Sequence, residues 1–316
     1  VRSPTSVHAV RILFIANSTA ASYSSRVRIV VTKSLSADHE VEYVTTERKG
    51  HATRLARDAA LRGFDVVVVM AGDGTLNEAA NGLVGTSTAL ATLPGGSTNV
   101  FARSIGVEPD PIEAVGQLIE ALANDQIYPI SLGCVNGRYF LFHTGLGMDA
   151  AVTHRVDAKP HFKRLAAHPF FATQAVVTWF KDVDSRNPWF RVQCSDGTVV
   201  EDGMQAIVMN QQPYTYMGSA PLVAVDGIKL DGPMSVIVSR SLGVTHLIRL
   251  FQSAATNRRY LEKSKKIVIA RDVESVVIDG HRPVSYQVDG DYLGAVDHLD
   301  IHRVPNAIRV VLPNKT

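Results

Sequence analysis

The chain has 316 residues, 46% of them hydrophobic and 20% charged, with a formal net charge of +2. That length admits two domains with real cores, and so small a charge points to no nucleic-acid partner. Cys134 and Cys194 are the only cysteines and show no CxxC or metal-ligand spacing, which fits a reduced, cytoplasmic protein better than a disulfide scaffold.

The N-terminal stretch VRSPTSVHAVRILFIANS reads as a first strand and not as a signal peptide, because its apolar run is short and Asn17 follows it. No apolar run approaches the ~20 residues of a membrane span, so no transmembrane segment is expected and any membrane contact is peripheral. RILFIANS (11–18) predicts a strand, SSRVRIVVTKSL (24–35) a helix and EVEYVTTE (40–47) a second strand. HATRLARDAALRG (51–63) predicts a helix closed by Gly63, with Ala52, Leu55, Ala56 and Ala59 as its apolar stripe. DVVVVMA (65–71) and ALATLPG (89–95) read as buried strands, and PIEAVGQLIEALA (111–123) as a helix with proline at its first position. Strands alternating with helices predict a mostly parallel sheet with flanking helices.

After about residue 130 the pattern changes. Asn136-Gly137 predicts a hairpin, HFKRLAAHPFFATQAVVTWFK (161–181) a helical stretch interrupted at Pro169, and Asp-Gly turns punctuate short strands at 196–197, 226–227, 231–232, 279–280 and 289–290. The expected fold class is therefore an α/β N-terminal domain, residues 1–130, joined to a β-rich sandwich domain, residues 131–304. Segment 305–316 is free to pack back on the first domain, and an active-site cleft is expected between the two.

The stretch VVVVMAGDGTLNEAANGL (66–83) carries the chemistry. A helix starting near Thr75 puts Leu76, Ala79, Ala80 and Leu83 on one face and Asn77, Glu78 and Asn81 on the other. Gly72 and Gly74 allow a sharp turn with uncovered N–H groups, and a helix start favours an anion there. Asp73 is placed to accept a proton or to hold a metal ion, although a lone Gly-Asp-Gly is more often a simple capped connection. Here a second glycine turn, TLPGGSTNVFARSIG (92–106), ends the next strand and opens another helix. In a parallel sheet both turns lie at the carboxyl edge, where open α/β sheets bind ligands.

Together, AGDGTLNEAANGL and LPGGSTNVFARSIG resemble the diacylglycerol kinase catalytic-domain family, which includes bacterial lipid kinases and the sphingosine and ceramide kinases. IANSTA (15–20), TTERKGHA (45–52), GLGMDAAV (145–152), VDGIKLDGPMSVIV (225–238) and VDGDYLG (288–294) resemble further family segments in the same order. The resemblance implies transfer of the γ-phosphoryl group of ATP, with Mg2+, to the hydroxyl of a lipid at a membrane surface. By that likeness ATP lies across Asn17, Thr46, the turn Gly72, Asp73, Gly74, Thr75 and Asn77, and Ser97. Asp291 and Asp289 of the late Asp-Gly motif join Asp73 as catalytic carboxylates, and Asp231 matches the family's metal aspartate. Asp149, Asn99, Arg103 and Lys163 fall to the lipid substrate. The implied setting is cytoplasmic, peripheral at the inner face of the membrane, and a homodimer is compatible with it.

Three positions depart from the family pattern. Asp291 stands where glutamate is usual, one methylene shorter, which leaves the base role shared between Asp289 and Asp291. Ala71 replaces the first glycine of Gly-Gly-Asp-Gly, and Val100 replaces an aspartate next to Asn99. Two alternatives follow: NAD kinase, which has a Gly-Gly-Asp-Gly turn of its own, and a nucleotide- or lipid-binding protein without catalysis. KPHFKRLAAHPFF (159–171) and RRYLEKSKK (258–266), read alone, are solvated basic segments before they are membrane contacts.

Overall fold

The computed structural model describes residues 9–18, 20, 24–147, 150, 187–256 and 258–313. Its packing divides the chain into two compact units, residues 1–130 with 306–316 and residues 131–305.

The first unit alternates β1 (Arg11–Ala16), α1 (Ser25–Leu35), β2 (Glu40–Thr45), α2 (His51–Leu61), β3 (Val66–Ala71), α3 (Asp73–Leu83) and β4 (Ala89–Pro94), then α4 (Val100–Ser104) and α5 (Pro111–Ala123). Local chemistry sets the ends. The Ser24 hydroxyl accepts the Val27 N–H at 3.2 Å and starts α1, and the Asp110 carboxylate accepts the Ile112 N–H at 2.8 Å just before the proline that opens α5. The strands run parallel in the order β2-β1-β3-β4, and Arg309 and Val310 near the C-terminus add a parallel partner beside β4. Phe14, Val68 and Ala91 face α1 and α5 on one side, and α2 and α3 pack on the other. β3 and β4 are buried throughout, as their unbroken apolar sequences require of central parallel strands. Because β2 and β3 lie on opposite sides of β1, the order of the sheet reverses there, and such a switch point at the carboxyl ends of β1 and β3 is where open α/β sheets bind ligands.

The helix α3 begins at Asp73, ahead of the expected start near Thr75, and Asn77 and Glu78 on its polar face are buried. The cause is α2, which packs so closely that a Cβ at Gly82 would come 2.4 Å from the Thr53 carbonyl oxygen. The Glu78 carboxylate accepts the backbone N–H of Gly50 at 2.7 Å and of Ala52 at 3.3 Å, and so caps α2 from a neighbouring helix.

The second unit is antiparallel. Its strands are β5 (Ile127–Val135), β6 (Arg138–Phe140), β7 (His143–Leu146), β8 (Phe190–Cys194), β9 (Val199–Gly203), β10 (Gln205–Met209), β11 (Thr215–Met217), β12 (Ala220–Leu222), β13 (Met234–Ser239), β14 (Ile267–Val273), β15 (Ser275–Val288) and β16 (Asp291–Val311); β5 up to residue 130 and β16 from residue 306 belong to the first unit. The order β14-β13-β10-β7-β15 surrounds a core that includes Phe140, Phe190, Val236 and Ile301. Asn136-Gly137 and Asp289-Gly290 form the expected tight hairpins, with φ of 45° and 82° in the first and 46° and 83° in the second. Asp279-Gly280 does not turn the chain: both residues lie inside β15, at a register shift that lets its first half pair with β8 and its second with β7.

Two helices, α6 (Val244–Ala255) and α7 (Arg259–Lys263), were not expected from the sequence. α6 buries the polar His246 and Ser253 and exposes Val244, Ile248 and Phe251, which blurs the usual period. The helical stretch expected at 161–181 lies outside the described residues. Cys134 and Cys194 are buried free thiols. No helix among the described residues is long and apolar enough to cross a membrane.

Candidate active site

In the first unit the expected nucleotide-binding residues other than Asn77 follow the carboxyl ends of the strands. Asn17 follows β1, and its N–H reaches the Met70 carbonyl at 3.2 Å; its side-chain amide lies 3.5 Å from the Thr75 hydroxyl. Thr46 follows β2 and donates its N–H to Ala16 at 2.9 Å. Gly72 is the N-cap of α3, and the first N–H to find a partner inside that helix is that of Leu76, bonded to the Gly72 carbonyl at 3.2 Å. The amides of Gly74 and Thr75 therefore have no acceptor within the helix, and the helix dipole favours an anion at this start. Asn77 is buried one turn further in, with its side-chain oxygen 3.1 Å from the Asn81 amide. It shapes the helix and presents no exposed donor.

The glycines serve a purpose that the sequence does not disclose. Gly72 has φ −82°, a value open to any residue. What demands glycine is close approach: a Cβ at Gly95 would lie 2.6 Å from the Ala71 backbone, and one at Gly96 would lie 2.7 Å from Gly72 Cα. The two glycine turns are in backbone contact. Asn99, in the left-handed region at φ 49°, closes the second turn by accepting the Gly96 N–H at 2.8 Å and donating to the Gly96 carbonyl at 2.9 Å. Ser97 is exposed at the tip of that loop.

Asp73 locks the pair. Its carboxylate accepts the N–H groups of Val100 at 3.0 Å and Phe101 at 3.2 Å, the first turn of α4. Part of the residue reaches the surface, but burial of the carboxyl group pushes its pKa above the ordinary value, against the pull of those amides, its own amide and the Arg103 guanidinium. Both oxygens are thus engaged by backbone, and Asp73 braces the two turns against each other. Arg103, in the last turn of α4, stands near enough to act on it electrostatically.

In the second unit the hairpin at Asp289 is built from its carboxylate inward. Asp289 is only 4% exposed and accepts three backbone N–H groups, from Leu141 at 2.7 Å and from Phe142 and His143 at 3.1 Å each. Its own N–H returns to the His143 carbonyl at 3.0 Å. This carboxylate holds the entry to β7 against the hairpin. Asp291, by contrast, is half-buried at the start of β16, opposite Val288.

Asp231 was expected to hold a metal ion. Its carboxylate accepts the Ser131 hydroxyl at 2.5 Å and lies 3.6 Å from the Arg303 guanidinium, which also donates to Ser131 Oγ at 2.7 Å and to the Asp231 carbonyl at 3.0 Å. A cation at that carboxylate would meet the guanidinium charge, so the residues present do not fit a resident metal. Among the described residues no three His, Cys, Asp or Glu side chains converge into a metal-binding group. Arg303 is the residue that sequence reasoning missed; it stands 72 positions from Asp231 with no motif to mark it. Asp149 and Lys163, expected at the lipid, lie outside the described residues.

Comparison with known proteins identifies the family. Residues 11–135 match the family described as Diacylglycerol kinase catalytic domain, and residues 143–312 match the YegS C-terminal NAD kinase beta sandwich-like domain. The Diacylglycerol kinase of Bacillus subtilis (strain 168) is 34% identical over 290 residues, 90% of each chain. A Probable lipid kinase YegS-like protein of Pseudomonas aeruginosa (strain UCBPP-PA14) is 37% identical over 132 residues, 41% of this chain and 42% of its own. Among solved structures, a diacylglycerol kinase from Bacillus anthracis str. Sterne shares the fold with a TM-score of 0.73 at 21% identity, covering 96% of each chain. A parallel sheet with paired glycine turns, followed by the matching β-rich unit, places this chain in the diacylglycerol kinase family of lipid kinases.

Proposed function

We propose that this lipid kinase transfers the γ-phosphoryl group of ATP to a lipid hydroxyl, with diacylglycerol as the first acceptor to test. The observation that carries the proposal is the backbone contact between Gly95–Gly96 and Ala71–Gly72, which joins two anion-compatible turns at one sheet edge. Phosphoryl transfer needs positioning and charge neutralisation more than covalent chemistry, and the helix start at Gly74 and Thr75, held against the second turn, would contribute to both. Asn17, Thr46, the Gly72–Thr75 turn and Ser97 would hold the nucleotide, with Asn77 supporting α3 from behind. Mg2+ would travel with the ATP phosphates and neutralise charge there, since Asp231 is engaged by Arg303.

The first unit is then the nucleotide-binding domain, and the second supplies the base and the lipid surface. Asp291 takes the proton from the acceptor hydroxyl, because Asp289 is committed to three backbone amides. Arg103, Asn99, Asp149 and Lys163 remain assigned to the lipid on the strength of the family resemblance, with Asn99 acting through the loop it closes. Such an enzyme works as a peripheral protein at the inner face of a membrane. The NAD kinase alternative has one feature in its favour, the description of the family matched by the second unit.

One assay separates these readings. Protein, labelled ATP and Mg2+ are incubated with diacylglycerol, a sphingoid base, a ceramide and NAD, and the labelled product is identified. Phosphorylated diacylglycerol is expected; label in NAD alone, or in nothing, would overturn the proposal. Asp291→Asn should lower kcat by ~10²–10⁴-fold, the usual contribution of a general base, with ATP affinity retained. Asp289→Asn should lower thermal stability first, because its amide NH2 would face backbone donors.

A further inference from the structure

Eight large apolar side chains among the described residues are exposed, and three of them, Val244 at 45%, Ile248 at 52% and Phe251 at 49%, stand on the single helix α6. At 100° per residue these positions fall within a narrow arc, so they form one ridge. The inward side of the helix is already satisfied, with Leu247, Leu250 and Ala254 packed against the core of the unit. The ridge is therefore a second apolar face that the described residues of the unit do not cover.

Beside it lies a shallow hollow of about 470 Å³ lined by Arg249, Gln252, Thr256, Arg259, Lys263 and Ser264, among others. The hollow is built: the Ser253 hydroxyl accepts the N–H groups of Tyr260 and Leu261 at 3.1 Å each and fastens α7 to α6. From Arg240 to Lys266 the sequence holds seven Lys and Arg but one acid, Glu262. Arg240 and Arg258 are paired with Asp202 and Asp226. Arg249, Arg259 and Lys263, which line the hollow, are all exposed, so the hollow beside the ridge is rich in positive charge.

We propose that α6 and α7 form a docking surface for an anionic phospholipid bilayer. Val244, Ile248 and Phe251 enter the boundary between headgroups and acyl chains, and the basic hollow receives the phosphate of a headgroup. An apolar ridge flanked by lysine and arginine is the pattern by which an amphipathic helix lies in a membrane interface, and each basic residue close to an anionic surface adds to the attraction. The proposal rests on the lipid-kinase reading for the reason to visit a membrane, and it names the surface that does so.

The test is sedimentation of the full chain with vesicles of phosphatidylcholine alone or mixed with phosphatidylglycerol, without ATP or diacylglycerol. A failure of docking is thereby distinguishable from a failure of phosphoryl transfer. The expected result is binding to the mixed vesicles that weakens as salt is raised. The double variant Ile248→Asp, Phe251→Asp should bind at least about tenfold more weakly, because its ridge becomes polar and anionic. The pair Arg249→Glu, Lys263→Glu should lose the preference for phosphatidylglycerol. All four positions are exposed, and unchanged melting curves would verify folding. Equal binding by parent and variants would overturn the proposal. So would a dimer, formed without vesicles and abolished by Ile248→Asp, Phe251→Asp, which would assign the ridge to a second copy of the chain.

Discussion

The carboxylate of Asp73 accepts the backbone N–H of Val100 at 3.0 Å across 27 positions of sequence, so the acid of one glycine turn caps the helix that leaves the other. The same carboxylate takes the next amide, that of Phe101. This one side chain sets the distance between the turn after β3 and the turn after β4, and with it the spacing of the amides offered to a phosphate.

Removing the brace should be felt in stability and in binding together. Asp73→Ala leaves two amides of α4 without their acceptor, at a cost of about 1–3 kcal/mol. ATP affinity should fall with it, since the second turn is no longer held against the first. Asp73→Asn keeps one acceptor oxygen and should lie between. Thermal melts and a calorimetric ATP titration measure both quantities; an Asp73→Ala protein as stable as the parent would remove the bracing role.

Contact between the turns can be opened with a single methyl group. Gly96→Ala would place its Cβ 2.7 Å from Gly72 Cα and 3.1 Å from Asn99 Oδ1, and backbone on one side leaves little room to yield. The expected cost is about 1–3 kcal/mol, as for other overpacked sites, with loss of ATP affinity. Gly116→Ala is the control: it lies inside α5 with nothing within 4 Å of its Cβ, and should gain roughly 0.5–1 kcal/mol from lower chain entropy. Equal effects from the two substitutions would contradict the close-approach account.

The fold was legible wherever one local pattern decided it. Unbroken β-branched runs at 66–69 could only be a buried strand, and Asn136-Gly137 could only be a tight hairpin. The site was legible as a set of motifs but not as a set of roles. Nothing in the string Ala-Gly-Asp-Gly shows that Asp73 faces the amides of Val100 and Phe101, because that bond spans two strand-helix units. Nothing in the sequence shows that Glu78 caps the start of α2. α6 escaped notice for a related reason: apolar residues on its outward face hide the helical period that an ordinary surface helix shows.

Asp231 and Arg303 illustrate a role that only tertiary structure assigns. The guanidinium side chain is 16% exposed and bonds Ser131, the Asp231 backbone and, at 3.5 Å, the Glu274 carboxylate. Arg303→Met should cost about 1–3 kcal/mol through hydrogen bonds to charged groups that lose their partner. It should also open the Asp231 carboxylate to a cation, so that Mg2+ raises the melting temperature of the variant but not of the parent in the absence of nucleotide. A parent protein stabilised by Mg2+ alone, with the effect lost in Asp231→Asn, would show that a metal enters beside Arg303.

His246 makes the second unit sensitive to mild acid. The Ser239 hydroxyl donates to the Ser241 carbonyl at 2.8 Å, so toward His246 Nε2, also 2.8 Å away, it must accept. The ring therefore carries its proton on Nε2, and Nδ1 accepts the Tyr260 hydroxyl at 2.7 Å. Burial lowers the pKa of this histidine below its ordinary 6.5, and the nearby Lys266 charge adds to the effect. A lowered folded-state pKa means that the unfolded chain binds the proton more readily, so stability is fully present above pH 6.5 and is lost as the pH falls below it. His39 in the first unit is shifted in the same direction, again by burial, so the dependence of the whole protein has two sources. The difference between parent and His246→Gln isolates one of them: the melting temperature of the variant should fall less steeply as the pH is lowered from neutrality. Parallel pH profiles for the two proteins would show that the Ser239–His246–Tyr260 relay carries no titrating load.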